Sequence, residues 1–469
     1  MLFSSVIFIF KFLPLALLIY FLLIKNFLKN LFLLIISLIF YAWGEPVYVI
    51  LMMVSIIVNY FFGVLIERTT GKKSKWAVTL GVLFNVLLLV YYKYFWFITQ
   101  NLNAAFGWNI GTYDPLPLPI GISFYTFQSL SYLIDVYRRE VKAQNNILYL
   151  GLYISFFPQL IAGPIVRYID VNEQIEGRKV EWNGFVSGVE RFVIGLSKKV
   201  LLANTLGQVS DKIFFTPSDE ITTMVSWLGI ICYAFQIFFD FSGYSDMAIG
   251  LGRMFGFSFL ENFNFPYMAK SIKDFWRRWH ISLSTWFRDY LYIPLGGNRG
   301  TVLRTYINLI IVFFVTGLWH GASWNFVIWG LFHGFFLILE RNKFGDFMEK
   351  CWTPIRHLYA LLVILIAWVF FKLETFGEAV NYIKMMIGMG EHGEYPLGVY
   401  NFIDRKIIIC LLAATLFSTS LITLEKMDRP DRFLWMRKSV TTVVIIGLLV
   451  LSIASIASET YNPFIYFRF

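Results

Sequence analysis

Apolar stretches long enough to cross a bilayer recur along the whole chain, separated by short polar intervals. They lie near residues 4–24, 27–43, 46–66, 76–98, 118–137, 147–166, 185–206, 222–251, 305–319, 322–340, 357–373, 403–425 and 439–458. A helix needs about 20 apolar residues to span the roughly 30 Å hydrocarbon layer. Lipid offers no partner to exposed backbone N–H and C=O groups, so such segments must be helical. The pattern predicts an all-α, polytopic transmembrane protein with about 11 to 13 spanning or re-entrant helices. No Pro/Ser/Gly-rich linker or polar block of domain size intervenes, so the chain reads as a single transmembrane domain over residues 1–469. The first stretch carries Lys11 and Pro14 and lacks a small-residue cleavage site, and therefore reads as a retained helix.

Two intervals break this rhythm. Phe156-Phe-Pro-Gln-Leu-Ile-Ala-Gly-Pro-Ile165 puts two prolines and a glycine at membrane depth, which predicts a broken or re-entrant helix whose freed backbone groups are met by protein or by a wet cavity. Residues 262–304 are too polar to span yet rich in Trp, Phe and Tyr, which suits amphipathic helices at the cytoplasmic interface.

Positive charge sets the orientation. Lys and Arg gather in Arg68–Lys75, Arg138–Lys142, Lys270–Arg304, Arg341–Arg356 and Lys426–Lys438, and the positive-inside rule puts these in the cytoplasm. The interval Glu374–Asp404 holds Glu374, Glu378, Glu391 and Glu394 against Lys384, and falls outside. The tail 459–469 then emerges on the outer face. The formal net charge of +10 therefore reports membrane topology and not nucleic-acid binding, because the basic residues sit in short loops. Composition agrees: 58% of residues are hydrophobic and only 15% charged. Cys232, Cys351 and Cys410 are far apart, which gives no support to a disulfide framework, zinc or thiol redox chemistry.

The candidate chemistry rests on few residues. His320 lies in Thr316-Gly-Leu-Trp-His-Gly-Ala-Ser-Trp-Asn-Phe-Val-Ile-Trp-Gly330, and an imidazole inside a hydrophobic run must find a polar partner or face a wet cavity. His280 lies in Asp274-Phe-Trp-Arg-Arg-Trp-His-Ile-Ser-Leu-Ser-Thr-Trp-Phe-Arg-Asp289. There Arg277, Arg278 and Arg288 offer forks for phosphate, and Trp276, Trp279 and Trp286 offer flat faces for an aromatic ring. From these residues alone, a nucleotide-bearing acyl donor and an interfacial Trp/Arg belt both fit the segment. His333 falls thirteen residues after His320, near the opposite face of a straight helix, where a hydrogen-bonded packing role is expected. His357 and His392 read as solvated or interfacial. Asp135, Asp240 and Asp246 within apolar segments call for partners, with Lys198 and Lys199 the nearest in kind, or for a place lining water beside a histidine.

The stretches Phe275–Arg299 and Gly317–Gly330 together resemble the membrane-bound O-acyltransferase family, in its bacterial branch for polysaccharide O-acetylation. The resemblance takes in Leu2-Phe-Ser-Ser5, Phe157–Pro164, Phe239–Ala248 and Phe464-Ile-Tyr-Phe-Arg-Phe469, and so covers nearly the whole chain. It implies His320 as the catalytic histidine and His280 as the second histidine of this branch, with Trp276, Arg277, Arg278, Trp279 and Arg288 toward the donor. It further implies acetyl-CoA as acyl donor without a metal, an extracytoplasmic O-acetyltransferase partner, the bacterial cytoplasmic membrane as location, and Tyr466 as a covalent acyl relay. An interfacial anchor is the other reading of the tail. A neutral imidazole can take the proton from an attacking hydroxyl, a contribution of about a hundredfold to ten-thousandfold in rate. No GxSxG elbow occurs and no cysteine neighbours either histidine, so direct transfer to a hydroxyl is expected. Two rivals stand beside this: D-alanyl or other acyl transfer from a cytoplasmic carrier protein, drawn to the basic interval 270–304, and a polysaccharide transporter that performs no acylation.

Overall fold

The computed structural model describes residues 1–111, 116–390, 393–420, 434–458 and 461–463. Among these residues the regular structure is helical, with one isolated β-bridge between Ile221 and Leu397. Among the described residues, six helices are long and apolar enough to cross a membrane: Tyr48–Arg68, Gly71–Phe106, Thr223–Met254, Val302–His320, Thr353–Lys372 and Ser439–Ser458. Phe8–Leu22, Asn26–Ala42 and Trp324–Leu339 are shorter apolar helices. Other expected spans form shorter or more polar helices, such as Ile122–Arg138, Trp182–Ser197 and Arg405–Phe417. In Ile122–Arg138 nearly every side chain is buried, Gln128 and Asp135 included, so this helix meets protein and has no need of a lipid-compatible surface.

The described contacts cluster into two compact units, Met1–Phe192 with Met247–Leu260, and Val193–Asp246 with Glu261–Phe469. No linker composition marks the boundaries: the chain crosses two of the three inside the helices Trp182–Ser197 and Thr223–Met254, and the third, between Leu260 and Glu261, in the short stretch after the second of these.

The first unit contains the proline break. Ile147–Ser155 stops at Phe156 and a single turn, Phe157–Leu160, follows. The backbone N–H freed at Phe157 donates to Ser37 Oγ (3.1 Å), and Gln159 Nε2 donates to the Tyr153 carbonyl (2.7 Å). Protein side chains thus meet the requirement that lipid cannot. The opening Leu2-Phe-Ser-Ser5 acquires a role here as well. Ser5 Oγ accepts from the Phe8 N–H at 3.2 Å, starting the helix, while Phe3 packs against Phe8, Phe40 and Phe157.

The second unit is organised around a hairpin of Val302–His320 and Trp324–Leu339. Its two helices meet backbone to backbone. A β-carbon on Gly317 would lie 2.2 Å from the Phe326 carbonyl oxygen, and one on Gly330 2.2 Å from that of Phe313. These glycines give the Gly317–Gly330 stretch its spacing, because only hydrogen fits at the contact. Thr353–Lys372 packs against this hairpin and brings Trp368 and Phe371 to its buried side. The interval expected to be interfacial forms two short helices, Ile272–Arg278 and Ile281–Phe287, continued by a wider π turn over Arg288–Tyr292.

Candidate active site

His280 is the joint between the two short helices. Its φ of +44° puts a non-glycine residue in the left-handed region, a conformation that costs free energy and holds only where surroundings over-determine it. Asn262 supplies that determination. Its Oδ1 accepts from the Ser282 backbone N–H (3.1 Å) and the Ser282 hydroxyl (2.9 Å), and lies 3.2 Å from His280 Nδ1. Its Nδ2 donates to Ser245 Oγ at 3.1 Å. A backbone N–H can only donate, so the amide atom facing it is the oxygen, and His280 Nδ1 must then carry the proton. Nε2 is thereby the basic nitrogen of the ring. Complete burial pushes the His280 imidazole down from 6.5 to about 3, so it is neutral at physiological pH. Phe241 packs edge-on against it at 4.6 Å between centroids, and Trp319 lies on another side at 6.1 Å.

His320 closes the Val302–His320 helix and is buried, with 2% of its surface exposed. Its ring lies 4.9 Å from Trp319, 4.9 Å from Trp329 and 5.2 Å from Phe371. Trp319 therefore contacts both histidines, which sequence separation alone did not bring together. His333 sits one residue layer further, against Trp329 (5.0 Å), Trp276 (5.2 Å) and Phe275 (6.1 Å). The hydrogen-bonded packing role expected of it is not what the structure shows: its neighbours are aromatic rings, and among the described residues neither ring nitrogen has a hydrogen-bond partner. The indole N–H groups of Trp276 and Trp329 are buried in the same condition. Unmet buried donors are costly, and a cluster of them suits a polar guest.

A cavity of about 200 Å³ adjoins this cluster. Trp276, Arg277, Arg288 and Lys273 line it together with Phe313 and Thr316 of the His320 helix. Lys273 and Arg277 are one helical turn apart and share a face, and both are exposed, as is Arg288. Arg288 is forked onto Asp289 at 2.7 and 3.2 Å. Sites for whole drug-sized ligands run to about 300–1,000 Å³, so this space admits a slender arm and not a complete nucleotide. Arg278 and Trp279 lie elsewhere. Arg278 pairs with Asp274 (2.9 Å) and reaches the Asn264 carbonyl, and Trp279 is buried among Phe275, Phe263 and Trp368.

Two of the three aspartates within apolar segments are paired with the lysines expected of them. Lys199 meets Asp240 at 2.8 Å and Lys198 meets Asp246 at 2.6 Å. The orienting partner of His280 is instead the amide of Asn262, a residue that sequence reasoning did not single out. Its only signal was its place in the short polar stretch that follows Thr223–Met254, after Ser258 and Glu261. His357 Nδ1 lies 3.1 Å from the Ala269 carbonyl. His392 and Tyr466 lie outside the described residues. Among the described residues no group of three or more His, Cys, Asp or Glu side chains is arranged to hold a metal ion.

Among the described residues, then, an all-helical membrane protein sets two buried histidines on either side of one tryptophan, with a cation-edged cavity close by. The chain belongs to the membrane-bound O-acyltransferase family, whose model matches residues 35–374 and so covers both histidines. It is 39% identical, over the full length of both chains, to "Probable alginate O-acetylase AlgI" of Azotobacter vinelandii. It is also 39% identical to "Peptidoglycan O-acetyltransferase" of Helicobacter pylori, across 83% of this chain and 80% of that one. The likeness to "Teichoic acid D-alanyltransferase" of Bacillus subtilis is 32% identity across 54% of this chain and 66% of that one. The protein is an O-acyltransferase.

Proposed function

We propose that this enzyme takes acetyl from acetyl-CoA on the cytoplasmic side of a bacterial cytoplasmic membrane and passes it to a hydroxyl acceptor, for O-acetylation of an exported polysaccharide by an extracytoplasmic partner. The observation that carries the reading is the burial of His320 against Trp329, which also packs on Trp276, a residue that lines the cation-edged cavity. The names of the relatives at 39% identity support acetyl as the group and a polysaccharide as its destination.

In this reading His320 is the general base. The acceptor oxygen attacks the thioester carbonyl carbon and the C–S bond breaks. The hydroxyl proton passes to His320 and from it to the departing sulfur, which leaves as CoA thiol. Arg277, Arg288 and Lys273 attract the donor phosphates, and the buried indole N–H groups suit the acyl carbonyl oxygen. With its proton on Nδ1, His280 offers a lone pair at Nε2. That supports holding a hydroxyl acceptor more than stabilising negative charge on the thioester oxygen. Tyr466 is the proposed acceptor that hands the group onward, since a phenyl ester remains activated enough to react again.

The test is acetyl-CoA bearing a labelled acetyl group, incubated with purified wild-type, His320→Ala and Tyr466→Phe proteins. CoA release that requires His320, with protein-bound label that requires Tyr466, is the expected result. CoA release at the wild-type rate from a folded His320→Ala protein overturns the assignment. Turnover from an acylated carrier protein, and none from acetyl-CoA, overturns the donor.

A further inference from the structure

Ser284, Arg288 and Tyr292 stand four residues apart, and all three line the cavity beside the Val302–His320 helix. In an ordinary α-helix, with about 3.6 residues to the turn, such a series drifts about 40° around the axis at each step. Here the chain changes pitch at the second of the three. Ile281–Phe287 is α-helical, and Arg288–Tyr292 is the wider π turn, closed by the Ile293 N–H donating to the Arg288 carbonyl five residues back at 2.9 Å. A wider turn advances less around the axis per residue, which offsets the drift and keeps the three side chains on one stripe. Eight residues at about 1.5 Å each give that stripe a length of about 12 Å.

The polar groups on the stripe are unmet. The Ser284 and Tyr292 hydroxyl oxygens are buried and have no hydrogen-bond partner among the described residues, and the same holds for the Trp276 indole N–H, which lines the same cavity. Thr316 supplies the contrast: it lines the cavity too, but its hydroxyl donates to the Val312 carbonyl of its own helix at 2.7 Å. An unmet buried hydroxyl costs the protein stability. Three unmet groups converging on one cavity are complementary to a guest that brings its own polar atoms. A purely apolar guest, such as a lipid tail, would leave them unmet. Lys273, Arg277 and Arg288 are exposed at the edge of the cavity and call for an anion at one end of the guest. The chemistry lies near the other end. Thr316 precedes His320 by one helical turn, and Trp276 packs on Trp329, which packs on His320.

We propose that Ser284 and Tyr292 recognise the 4′-phosphopantetheine arm of the acyl donor, hydrogen-bonding its amides while Arg288 and the neighbouring cations hold its phosphate. The arm joins a phosphate to a thiol through amide groups on a chain narrow enough for the cavity. That the arm carries the acyl group rests on the function proposed above; that a slender, polar guest completes the stripe does not. The arm is common to coenzyme A and to acyl carrier proteins. Ser284 and Tyr292 therefore read the thioester half of the donor, and discrimination between the two sources falls to groups outside the cavity.

The experiment compares full-length wild type with the Ser284→Ala, Tyr292→Phe double variant in detergent. Each is titrated calorimetrically with coenzyme A, with 4′-phosphopantetheine, and with adenosine 3′,5′-bisphosphate, the nucleotide half without the arm. We expect affinity for the first two to fall at least tenfold and affinity for the bisphosphate to stay within twofold. The thermal midpoint without ligand should equal or exceed that of wild type, because the variant removes hydroxyls that no described group satisfies. No phosphopantetheine binding by wild type, unchanged affinity in the variant, or an equal loss for the bisphosphate overturns the subsite. A midpoint lower by several degrees assigns the hydroxyls a structural role and overturns it as well. Acetyl-CoA and an acetylated carrier protein are then compared as donors, and turnover from one alone names the source of the arm. For that donor the variant should raise KM tenfold or more with kcat within threefold, and an unchanged KM overturns the assignment. If wild type turns over neither donor, the function proposed above fails, and the calorimetric result still decides the subsite.

Discussion

Asn262→Ala removes one buried amide and, with it, four hydrogen bonds: three accepted at Oδ1 from His280 Nδ1, the Ser282 N–H and the Ser282 hydroxyl, and one donated to Ser245. Asn262 is fully buried, and His280 and Ser282 nearly so, so water cannot replace the lost partner without a cavity opening for it. The Ser hydroxyls can rotate to new acceptors, but the Ser282 N–H and the His280 N–H are fixed. Two buried donors left unmet cost about 1–3 kcal/mol each, so the variant should lose about 2–6 kcal/mol of stability, visible as a lower thermal midpoint in detergent. His280 also loses the group that sets its tautomer, and loss of such an orienting partner typically lowers activity about 10- to 100-fold. Asn262→Asp is the discriminating control. It keeps the acceptor toward all three donors and adds a charge beside the imidazole, which favours His280⁺ and raises its pKa from about 3. The acid limb of its pH–rate profile should therefore move to higher pH, while its thermal midpoint stays closer to wild type than that of the alanine variant. An Asn262→Ala protein with unchanged midpoint and unchanged kcat/KM would refute this account of His280.

His320→Ala should reduce CoA release by about 10²- to 10⁴-fold, the range for loss of a general base, with the thermal midpoint within a few degrees of wild type; near-normal turnover contradicts the role. Arg277→Ala combined with Arg288→Ala should raise the KM for acetyl-CoA with little change in kcat, and added salt should raise the wild-type KM more than that of the double variant. Gly317→Val forces a branched side chain onto the Phe326 carbonyl 2.2 Å from any β-carbon, and should abolish a folded, extractable protein, as judged by monodispersity in detergent. Stability should also fall as pH drops below about 6.5, because the folded His280 site, with its pKa near 3, resists a proton that the unfolded chain accepts. A flat thermal midpoint between pH 7 and pH 5 would contradict that burial.

What could be read from the sequence follows the physics of lipid. Long apolar periods, the Pro158/Pro164 break and the need of Asp240 and Asp246 for cationic partners are all consequences of a medium that offers no hydrogen bonds, so each leaves a local mark. Helix phase in the basic interval left none. Trp276 and Trp279, or Arg277 and Arg278, are interchangeable by composition. Which of each pair meets the cavity is set by Ile272–Arg278 ending just before Trp279, and by the aromatic layer of Phe263 and Trp368 that claims Trp279. Asn262 escaped notice for a similar reason: an asparagine after a long helix looks like any loop residue until Ser282 and His280 fold back onto it, eighteen and more positions later. The tail contacts of Tyr461 with Asn204 and Asp211 span 250 residues or more, and no local pattern could announce them.

The same physics explains why the polar groups of the second unit fall where they do. In a medium where each unmet donor is expensive, a chain keeps polar groups at depth only if they satisfy one another or serve a guest. Asn262, Ser245, Ser282 and the Nδ1 side of His280 satisfy one another, and so do Lys199, Asp240, Asn204 and the backbone of residues 461–463. The group around Trp276, Trp329 and His333 is different, because its N–H donors and ring nitrogens close on no partner among the described residues. Two satisfied networks that fix geometry and one unsatisfied cluster beside His320 are what a transferase needs at membrane depth. The first two hold His280 and residues 461–463 in place. The third leaves its donors open to a guest, and the proposed transfer puts the group in transit there.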